Sequence, residues 1–224
     1  MDGVELVIFD LAGTTVEDGG EVPDAFASAL AAHGVEVTRE QLKGVRGSSK
    51  RQAVLRFIPD GPERQARAAA VYATFREHLA RRYESGGVRA VAGAAETLRA
   101  LRGRGVRVAL NTGFDRETTA LLLGALGWDG RVVDAVVCGD DVAQGRPAPY
   151  LIFRAMEAAG AASVHRVANV GDTALDLRAG HNAGVRWNVG VLSGAHDRTL
   201  LEREPHTHLL SSVAELLGLW EAAV

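Results

Sequence analysis

The sequence predicts an α/β fold in which a doubly wound parallel sheet carries an inserted all-helical cap domain. Short apolar runs rich in β-branched residues alternate with longer stretches of helical pattern, as in parallel sheets that are covered on both faces. Between roughly residues 17 and 88 the helical pattern continues without a strand. We therefore expect an α/β core of residues 1–16 and 88–224, and a helical cap of residues 17–87.

Five segments have the strand pattern, and most stretches between them have the helical one. The predicted strands are Leu6–Phe9, Val106–Asn111, Val132–Cys138, Val167–Val170 and Trp187–Val191. The predicted helices of the core are Ala94–Arg102, Arg116–Leu126, Pro149–Ala159, Leu175–Asn182 and an amphipathic last helix, Ser212–Ala222. In such a sheet the ligand site lies at the carboxyl ends of the strands.

The insertion begins with a predicted helix that has Pro23 in its first turn and Gly34 as its stop signal. Thr38 and Gln41 have the spacing of a capping box, which predicts a second helix. Residues 62–83 have the pattern of one long helix with apolar side chains on one face. Both ends of the insertion are short enough to act as hinges, and they are Glu17–Val22 and residues 85–87.

Composition and charge narrow the class of protein. The 224 residues allow a core with a smaller inserted domain, and the 47% hydrophobic and 24% charged residues are ordinary for a globular protein. A net charge of -3 without a long basic run argues against a nucleic-acid surface. The first residues fit neither a secretory signal nor a membrane span, and Cys138 is the single cysteine. We therefore expect a cytoplasmic protein without a disulfide, a nucleic-acid partner or a membrane partner.

Polar and charged residues follow the predicted strands at the edge where ligands bind. Asp10 ends the first strand, and Thr112 follows the second. Asp172 follows the fourth strand, with Asp176 four residues later, and Arg146 lies on a proline-containing loop between them and the second strand. Taken alone, Asp10 is equally suited to cap the turn that follows it. The presence of other charged residues at the same edge favours a binding site instead.

Three carboxylates at one sheet edge repel one another unless a cation lies among them. Mg²⁺ fits, because it takes oxygen ligands and leaves coordination positions for phosphate oxygens. Thr112 and Gly113 would form an anion cradle from a hydroxyl and backbone amides, and Arg146 would add a cation that stays charged. This combination predicts phosphoryl transfer to an aspartate, followed by hydrolysis of a covalent aspartyl-phosphate.

Four motifs resemble, in order, those of the haloacid dehalogenase superfamily. They are FDLAGT, LNTG, GRPAP and GDTALD, and they lie within residues 6–194. The predicted helical insertion occupies the place where that superfamily has its cap domain. The resemblance does not imply dehalogenation, since the dehalogenases of the superfamily use no metal and lack the acidic pair of the fourth motif. It implies phosphorus chemistry with Mg²⁺.

The resemblance implies a role for each matched residue. Asp10 would be the nucleophile and a magnesium ligand. The Ala12 carbonyl and Asp172 would complete the metal site, with Asp176 beside these ligands or on a metal-bound water. The positions around the phosphoryl group would be Ala12, Thr112, Gly113 and Arg146, with Thr112 binding the group and Arg146 stabilising its charge and orienting the nucleophile.

The residue at position 12 determines whether an acid is available there to protonate the leaving group. Phosphatases of the superfamily usually have a second aspartate there as general acid and base, and Ala12 can act as neither. The first motif instead resembles that of the phosphonoacetaldehyde hydrolase branch, which runs Asp-x-Ala-Gly-Thr-Thr. In that branch a cap lysine forms an imine with the substrate aldehyde, and the imine draws in the electrons of the breaking carbon–phosphorus bond. The resemblance thus implies a phosphonate substrate that needs no acid at position 12.

The sequence has two lysines, Lys43 and Lys50, and both lie in the predicted cap. Gly47 precedes Lys50 by three residues, as in the segment of the branch that carries the Schiff-base lysine. The resemblance therefore makes Lys50 the imine-forming residue and a substrate-binding residue, which requires a lowered pKa. The branch has a histidine and an aromatic hydroxyl where this chain has Ala53 and Phe114.

Three functions are compatible with the sequence. The first is hydrolysis of a small phosphonate such as phosphonoacetaldehyde through Lys50. The second is a phosphatase that acts on a small phosphate monoester, similar to phosphoglycolate phosphatases, in which Lys50 only grips the substrate or is solvated. The third is a non-catalytic binding protein, against which the complete set of core residues argues. Dimers joined through the cap occur in the resembling branch, so the resemblance is compatible with a homodimer.

Overall fold

The structure is a computed structural model that describes residues 3–221. Within this range the strands are β1 Leu6–Asp10, β2 Arg107–Asn111, β3 Ala135–Val137, β4 Val167–Gly171, β5 Trp187–Val191 and β6 His208–Leu210. They form one parallel sheet in the order β3-β2-β1-β4-β5-β6. From the central β1 the chain winds first toward β3 and then toward β6. The predicted doubly wound α/β fold is confirmed.

Helices cover the sheet and fill the connection between β1 and β2. In that connection lie α1 Glu21–Ala32, α2 Arg39–Lys43, α3 Lys50–Leu55 and α4 Arg64–Gly86. The later helices of the described chain are α5 Ala94–Gly103, α6 Arg116–Leu126, α7 Tyr150–Ala159, α8 Ala174–Ala183, α9 Arg198–Leu201 and α10 Gly218–Glu221. The insertion after β1 is helical, as predicted, and its limits at residues 17 and 87 stay a prediction.

The central strand β1 brings a charged residue to the edge of the sheet. All five of its side chains are buried. Val7 and Phe9 face the larger of two hydrophobic clusters, and the residues that alternate with them face the smaller one. Asp10 is paired in register with Asn111 at the end of β2. Because both faces of β1 are packed, its carboxyl end is where the strand meets a ligand.

The insertion has an apolar core of its own. The ring of Phe26 on α1 lies edge-on to that of Phe75 on α4, with 5.5 Å between the ring centroids. Phe57, which follows α3, makes a similar edge contact with Phe26 at 6.2 Å. The capping box at Thr38 is confirmed, since Thr38 and Gln41 each bond the other's backbone amide. The aromatic contacts join α1 to the long helix α4 and the residues after α3 to α1.

The prediction for the C-terminal region is wrong. Instead of one helix over Ser212–Ala222, the chain forms a 3₁₀ turn at Val213–Glu215 and the short α10, while Ala222 lies outside the described residues. The Ser212 hydroxyl accepts a hydrogen bond from the Ala214 amide, which favours the tight turn. The edge strand β6 was not predicted from the sequence, because its three residues are too few for a periodic signal.

Two other predicted bounds need correction. The predicted strand Val132–Cys138 shrinks to β3, because the amides of Val132 and Val133 both bond the carbonyl of Asp129 in a turn. The proposed hinges are shorter than predicted, since α1 begins at Glu21 and α4 continues through residue 86. Every helix within residues 3–221 is too short or too polar for a bilayer crossing.

Candidate active site

Arg146 connects two of the three predicted carboxylates. Its Nη2 lies 2.7 Å from Asp10 Oδ1, and its Nε lies 2.9 Å from Asp176 Oδ1. The same guanidinium donates to the Asn111 side chain and, at 3.1 Å, to the Asn111 carbonyl. Burial alone would lower the pKa of Arg146, but the charges of Asp10 and Asp176 raise it. Arg146 is therefore a fixed cation that holds Asp10 in one orientation.

Asp172 is held between two glycine-rich loops. Its Oδ1 accepts a hydrogen bond from the Thr14 hydroxyl at 2.9 Å, and its Oδ2 accepts one from the Ala195 amide at 2.7 Å. A Cβ on Gly13 would come within 2.5 Å of Oδ2, and a Cβ on Gly194 would overlap the same atom. Glycine at these two positions therefore lets the loops after β1 and β5 close around the carboxylate.

The three buried aspartates fit a metal site. Oxygens of Asp10, Asp172 and Asp176 all lie within 4.8 Å of one another. Burial raises the pKa of Asp10 against the opposing charge of Arg146. Burial, together with the charges of Asp10 and Asp176, raises the pKa of Asp172. The cluster holds more negative charge than Arg146 offsets, and a divalent cation that prefers oxygen ligands would supply the balance.

The hydrogen bonds of Asp176 distinguish it from the other two aspartates. Its Oδ1 is paired with Arg146, and its Oδ2 accepts bonds from the Thr173 amide at 3.0 Å and from the Thr173 hydroxyl. Asp172 has one hydrogen bond to each oxygen, whereas Asp176 has an ion pair at one oxygen and two hydrogen bonds at the other. Asp10 and Asp172 are the better direct ligands, and the position of Asp176 fits an indirect role beside them.

The loop after β2 contributes fewer amides to the anion cradle than expected. The Thr112 amide donates to the Val137 carbonyl at 3.0 Å, so it does not face the site. The Thr112 hydroxyl accepts a hydrogen bond from the Phe114 amide at 3.2 Å and still has its own proton to donate. The groups left for the expected cradle are the Thr112 hydroxyl and the Gly113 amide, and Arg146 lines the same cavity.

The insertion touches the core through its segment of residues 47–50. The Gly47 carbonyl accepts a hydrogen bond from Arg146 Nη1 at 3.4 Å, and the Lys50 amide donates to the Gly113 carbonyl at 3.2 Å. Gly47 has φ +80°, and a Cβ there would overlap the Thr173 hydroxyl. A Cβ on Gly113 would lie 2.5 Å from the Ser48 carbonyl oxygen. Two glycines, one on each side, therefore permit the close approach of insertion and core.

Lys50 begins α3 and lines the same cavity as Asp10 and Ala12. Its Nζ donates to the Ser48 carbonyl at 3.3 Å and lies 5.2 Å from the centroid of the Phe114 ring. Among the described residues no carboxylate forms an ion pair with this ammonium. Burial lowers the pKa of Lys50, and the negative charge of Asp10 offsets part of the effect.

The predicted site residues line one cavity between core and insertion, with the exception of Asp176. Asp176 lies behind it, in contact with Arg146. The sequence reasoning missed several residues of its wall, because no motif marks which side chains of a helical insertion face inward. These are Asp18, Val22, Pro23, Phe26, Leu42, Val45, Arg46 and, from the core, Thr173 and Ala195. Thr14, which positions Asp172, could have been noticed as part of the first motif.

Residues 4–184 match the family model of haloacid dehalogenase-like hydrolases. The chain belongs to this family. As a haloacid dehalogenase-like hydrolase it is an enzyme, and hydrolases of this family generally use a divalent metal, which the buried aspartates fit. The resemblance of its four motifs is confirmed.

This haloacid dehalogenase-like hydrolase is similar to two proteins named phosphonoacetaldehyde hydrolase. The one from Paraburkholderia xenovorans (strain LB400) is 33% identical over 208 residues, which cover 85% of this chain and 76% of the relative. The one from Bacillus cereus is 31% identical over 221 residues, which cover 90% of this chain and 80% of the relative. The fold matches the crystal structure of a hydrolase from Pseudomonas syringae, with a TM-score of 0.86, 24% identity and coverage of 98% and 99% of the two chains.

Proposed function

We propose that this enzyme cleaves the carbon–phosphorus bond of a small carbonyl phosphonate such as phosphonoacetaldehyde. The observation that carries the proposal is the position of Lys50, which shares a cavity with Asp10 and has no acidic partner among the described residues. The names of the two relatives support the same chemistry. In this proposal residues 17–87 act as the cap that brings Lys50 to the core.

The buried aspartates would hold Mg²⁺ near the phosphonyl end of the substrate. Asp10, the Ala12 carbonyl and Asp172 would hold the ion, and Asp176 would support them through Arg146 and Thr173. When bound, Mg²⁺ would offset the negative charge of the carboxylates and of the phosphonyl oxygens. Such neutralisation lets an anionic nucleophile approach an anionic group.

Lys50 supplies the electron sink that replaces the missing acid at position 12. Burial lowers its pKa, which favours the neutral amine that attacks a carbonyl carbon. Addition of the amine to the aldehyde and loss of water give an iminium. The iminium accepts the electron pair of the breaking carbon–phosphorus bond and becomes an enamine. No acid at Ala12 is needed, because a carbanion never forms.

Asp10 receives the phosphoryl group. Arg146 fixes the attacking carboxylate, and the Thr112 hydroxyl and the Gly113 amide are placed to bind the phosphoryl oxygens. Water hydrolyses the resulting aspartyl-phosphate to phosphate and free Asp10. Protonation of the enamine and hydrolysis of the imine release acetaldehyde and Lys50. The net reaction consumes one water for each phosphonoacetaldehyde.

A phosphatase acting on a small phosphate monoester is the second candidate. Ala53 and Phe114 line the cavity near Lys50 and carry no group that transfers protons. This favours a function in which Lys50 binds a substrate electrostatically and forms no imine. The two candidates differ in whether a charge-preserving change at position 50 is tolerated.

Lys50→Arg tests the proposal, because arginine retains the charge but forms no imine. We expect Lys50→Arg to abolish release of phosphate from phosphonoacetaldehyde in the presence of Mg²⁺. Lys43→Arg is the matched control, since Lys43 is exposed at the end of α2, and it should retain wild-type activity. Substantial phosphate release by Lys50→Arg would contradict the imine route. Hydrolysis of small phosphate esters, but not of phosphonoacetaldehyde, by the wild type and Lys50→Arg would establish the phosphatase.

A further inference from the structure

A second arginine lines the cavity. Arg46 is half-buried in the turn between α2 and Lys50 and forms part of the cavity wall. Within residues 3–221 no carboxylate forms an ion pair with its guanidinium, and no hydrogen bond engages it. Arg146, by contrast, has two carboxylates and two carbonyls as partners. The cavity wall thus contains two guanidinium groups. That of Arg146 is buried and forms ion pairs, and that of Arg46 is half-buried and has no ion pair within the described residues.

Arg46 lies toward one side of the cavity. Its neighbour Gly47 packs directly against Thr173 of the core. Burial lowers the pKa of His196, and the charge of Arg46 lowers it further, so the guanidinium lies near the loop that contains Ala195 and His196. That loop borders the cavity next to Asp172, which its Ala195 amide contacts. Arg46 therefore faces the space between the insertion and the loop after β5.

Asp18 is another charged residue that the insertion contributes to the cavity wall near Lys50. Asp18 is held by hydrogen bonds from the Gly20 and Val22 amides to its Oδ1. Burial lowers the pKa of Lys50, and the charge of Asp18 opposes this shift. Burial raises the pKa of Tyr83, and the charge of Asp18 adds to this shift. Asp18 thus lies near Lys50 and near Tyr83 of α4.

The cavity wall also contains apolar side chains. Those from the insertion are Val22, Phe26, Leu42 and Val45, and the core adds Phe114. A guanidinium without an ion-pair partner in the wall of a cavity attracts an anion, because its planar array of donors matches a carboxylate. Phosphonoacetaldehyde has a single anionic group, which the base of the site binds. Phosphonoacetaldehyde therefore has no group that would pair with Arg46.

We infer that Arg46 binds a carboxylate at the end of the substrate remote from phosphorus, so that the enzyme prefers carboxylated carbonyl phosphonates to the unsubstituted two-carbon aldehyde. This inference rests on the proposed function for the position of the phosphonyl group at the base of the cavity. The carbonyl of such a substrate lies between its two anionic ends, and Lys50 lines the same cavity as Arg146 and Arg46. Arg46 is then the residue that determines specificity.

Two unreactive ligands can separate the contribution of the carboxylate to binding from that of the phosphonyl group. We would measure dissociation constants of 3-phosphonopropionate and propylphosphonate by calorimetry with Mg²⁺, since the two differ only in a terminal carboxylate or methyl group. The wild type should bind 3-phosphonopropionate about 10-fold more tightly, as expected for one hydrogen-bonded charge pair. Arg46→Gln should remove this difference and leave the affinity for propylphosphonate unchanged. Arg39→Gln, an exposed arginine on α2 that does not line the cavity, should behave as the wild type.

Equal affinity of the wild type for the two ligands would overturn the inference. An equal loss of affinity for both ligands in Arg46→Gln would do the same, because it would indicate a structural effect. Failure of both ligands to bind would also overturn it. Release of phosphate from phosphonoacetaldehyde decides the proposed function separately, so an enzyme that cleaves this aldehyde without a preference for the carboxylated ligand refutes the inference alone.

Discussion

The Nη2 atom of Arg146 lies 2.7 Å from the Oδ1 atom of Asp10, and both side chains are almost completely buried. A buried ion pair of this kind contributes little net stability, but removal of one partner leaves the other charge uncompensated. Asp176 is bound to the same guanidinium and would lose its partner as well. Arg146 therefore has a structural role, in addition to the catalytic role that the proposed function gives it.

Arg146→Met should lower the free energy of unfolding by about 3–5 kcal/mol, as other broken buried ion pairs do. Chemical denaturation without Mg²⁺ would measure the loss. Arg116→Met is the control, because Arg116 forms its ion pair with Asp141 at the surface. That change should cost less than about 1 kcal/mol. Equal effects of the two substitutions would contradict the role assigned to Arg146.

Mg²⁺ should stabilise the protein through Asp172. At a concentration about 100 times its dissociation constant, a ligand that binds only the folded state adds about 2.7 kcal/mol. We expect a rise in Tm of the wild type with Mg²⁺, and its loss in Asp172→Asn. Asp140→Asn should keep the full response, although Asp140 lies in the other acidic group, with Cys138 and Asp141. A response lost in Asp140→Asn and kept in Asp172→Asn would place the metal elsewhere.

The close approach of Gly47 to Thr173 predicts a requirement for glycine. Gly47→Ala would strain a residue at φ +80° and would also force the methyl group into the Thr173 hydroxyl. Gly34→Ala is a matched control, since Gly34 has φ +71° but no atom within 4 Å of the place that its new methyl group would take. Both should lose about 1–2 kcal/mol of stability from the left-handed backbone. Only Gly47→Ala should also lower kcat/KM, by about 10-fold or more if the insertion is displaced. Normal kinetics of Gly47→Ala would indicate that this contact is dispensable.

The lowered pKa of Lys50 predicts the pH dependence of imine formation. Burial disfavours the charged form, so the amine becomes neutral at a lower pH than the ordinary lysine value of 10.5. The rate of trapping with cyanoborohydride should rise with pH and level off with a midpoint below 10.5. Peptide mapping at each pH would follow Lys50, with exposed Lys43 as the internal reference for the reagent. A rate at Lys50 that still rises steeply above pH 10.5 would show that burial does not tune this amine.

Much of the core could be predicted because five of its strands contain short apolar runs, and because polar residues end or follow β1, β2 and β4. The predicted helix Arg116–Leu126 matches the structure, and Asp10 ends the first strand as predicted. The pairing of Arg146 with Asp176 was not predicted, because it depends on how two loops pack. The same limit applies to Arg46 and Asp18, whose directions depend on the packing of the insertion. β6 was missed because an edge strand of three residues has too little pattern of its own.

Reductive trapping tests the central claim most directly. The protein would be incubated with phosphonoacetaldehyde, Mg²⁺ and borohydride, then examined by intact mass and peptide mapping, with phosphate release measured in parallel. We predict a reduced two-carbon adduct on Lys50, none on Lys43, and release of phosphate. An unmodified Lys50 would contradict the imine route, even if the protein binds the compound.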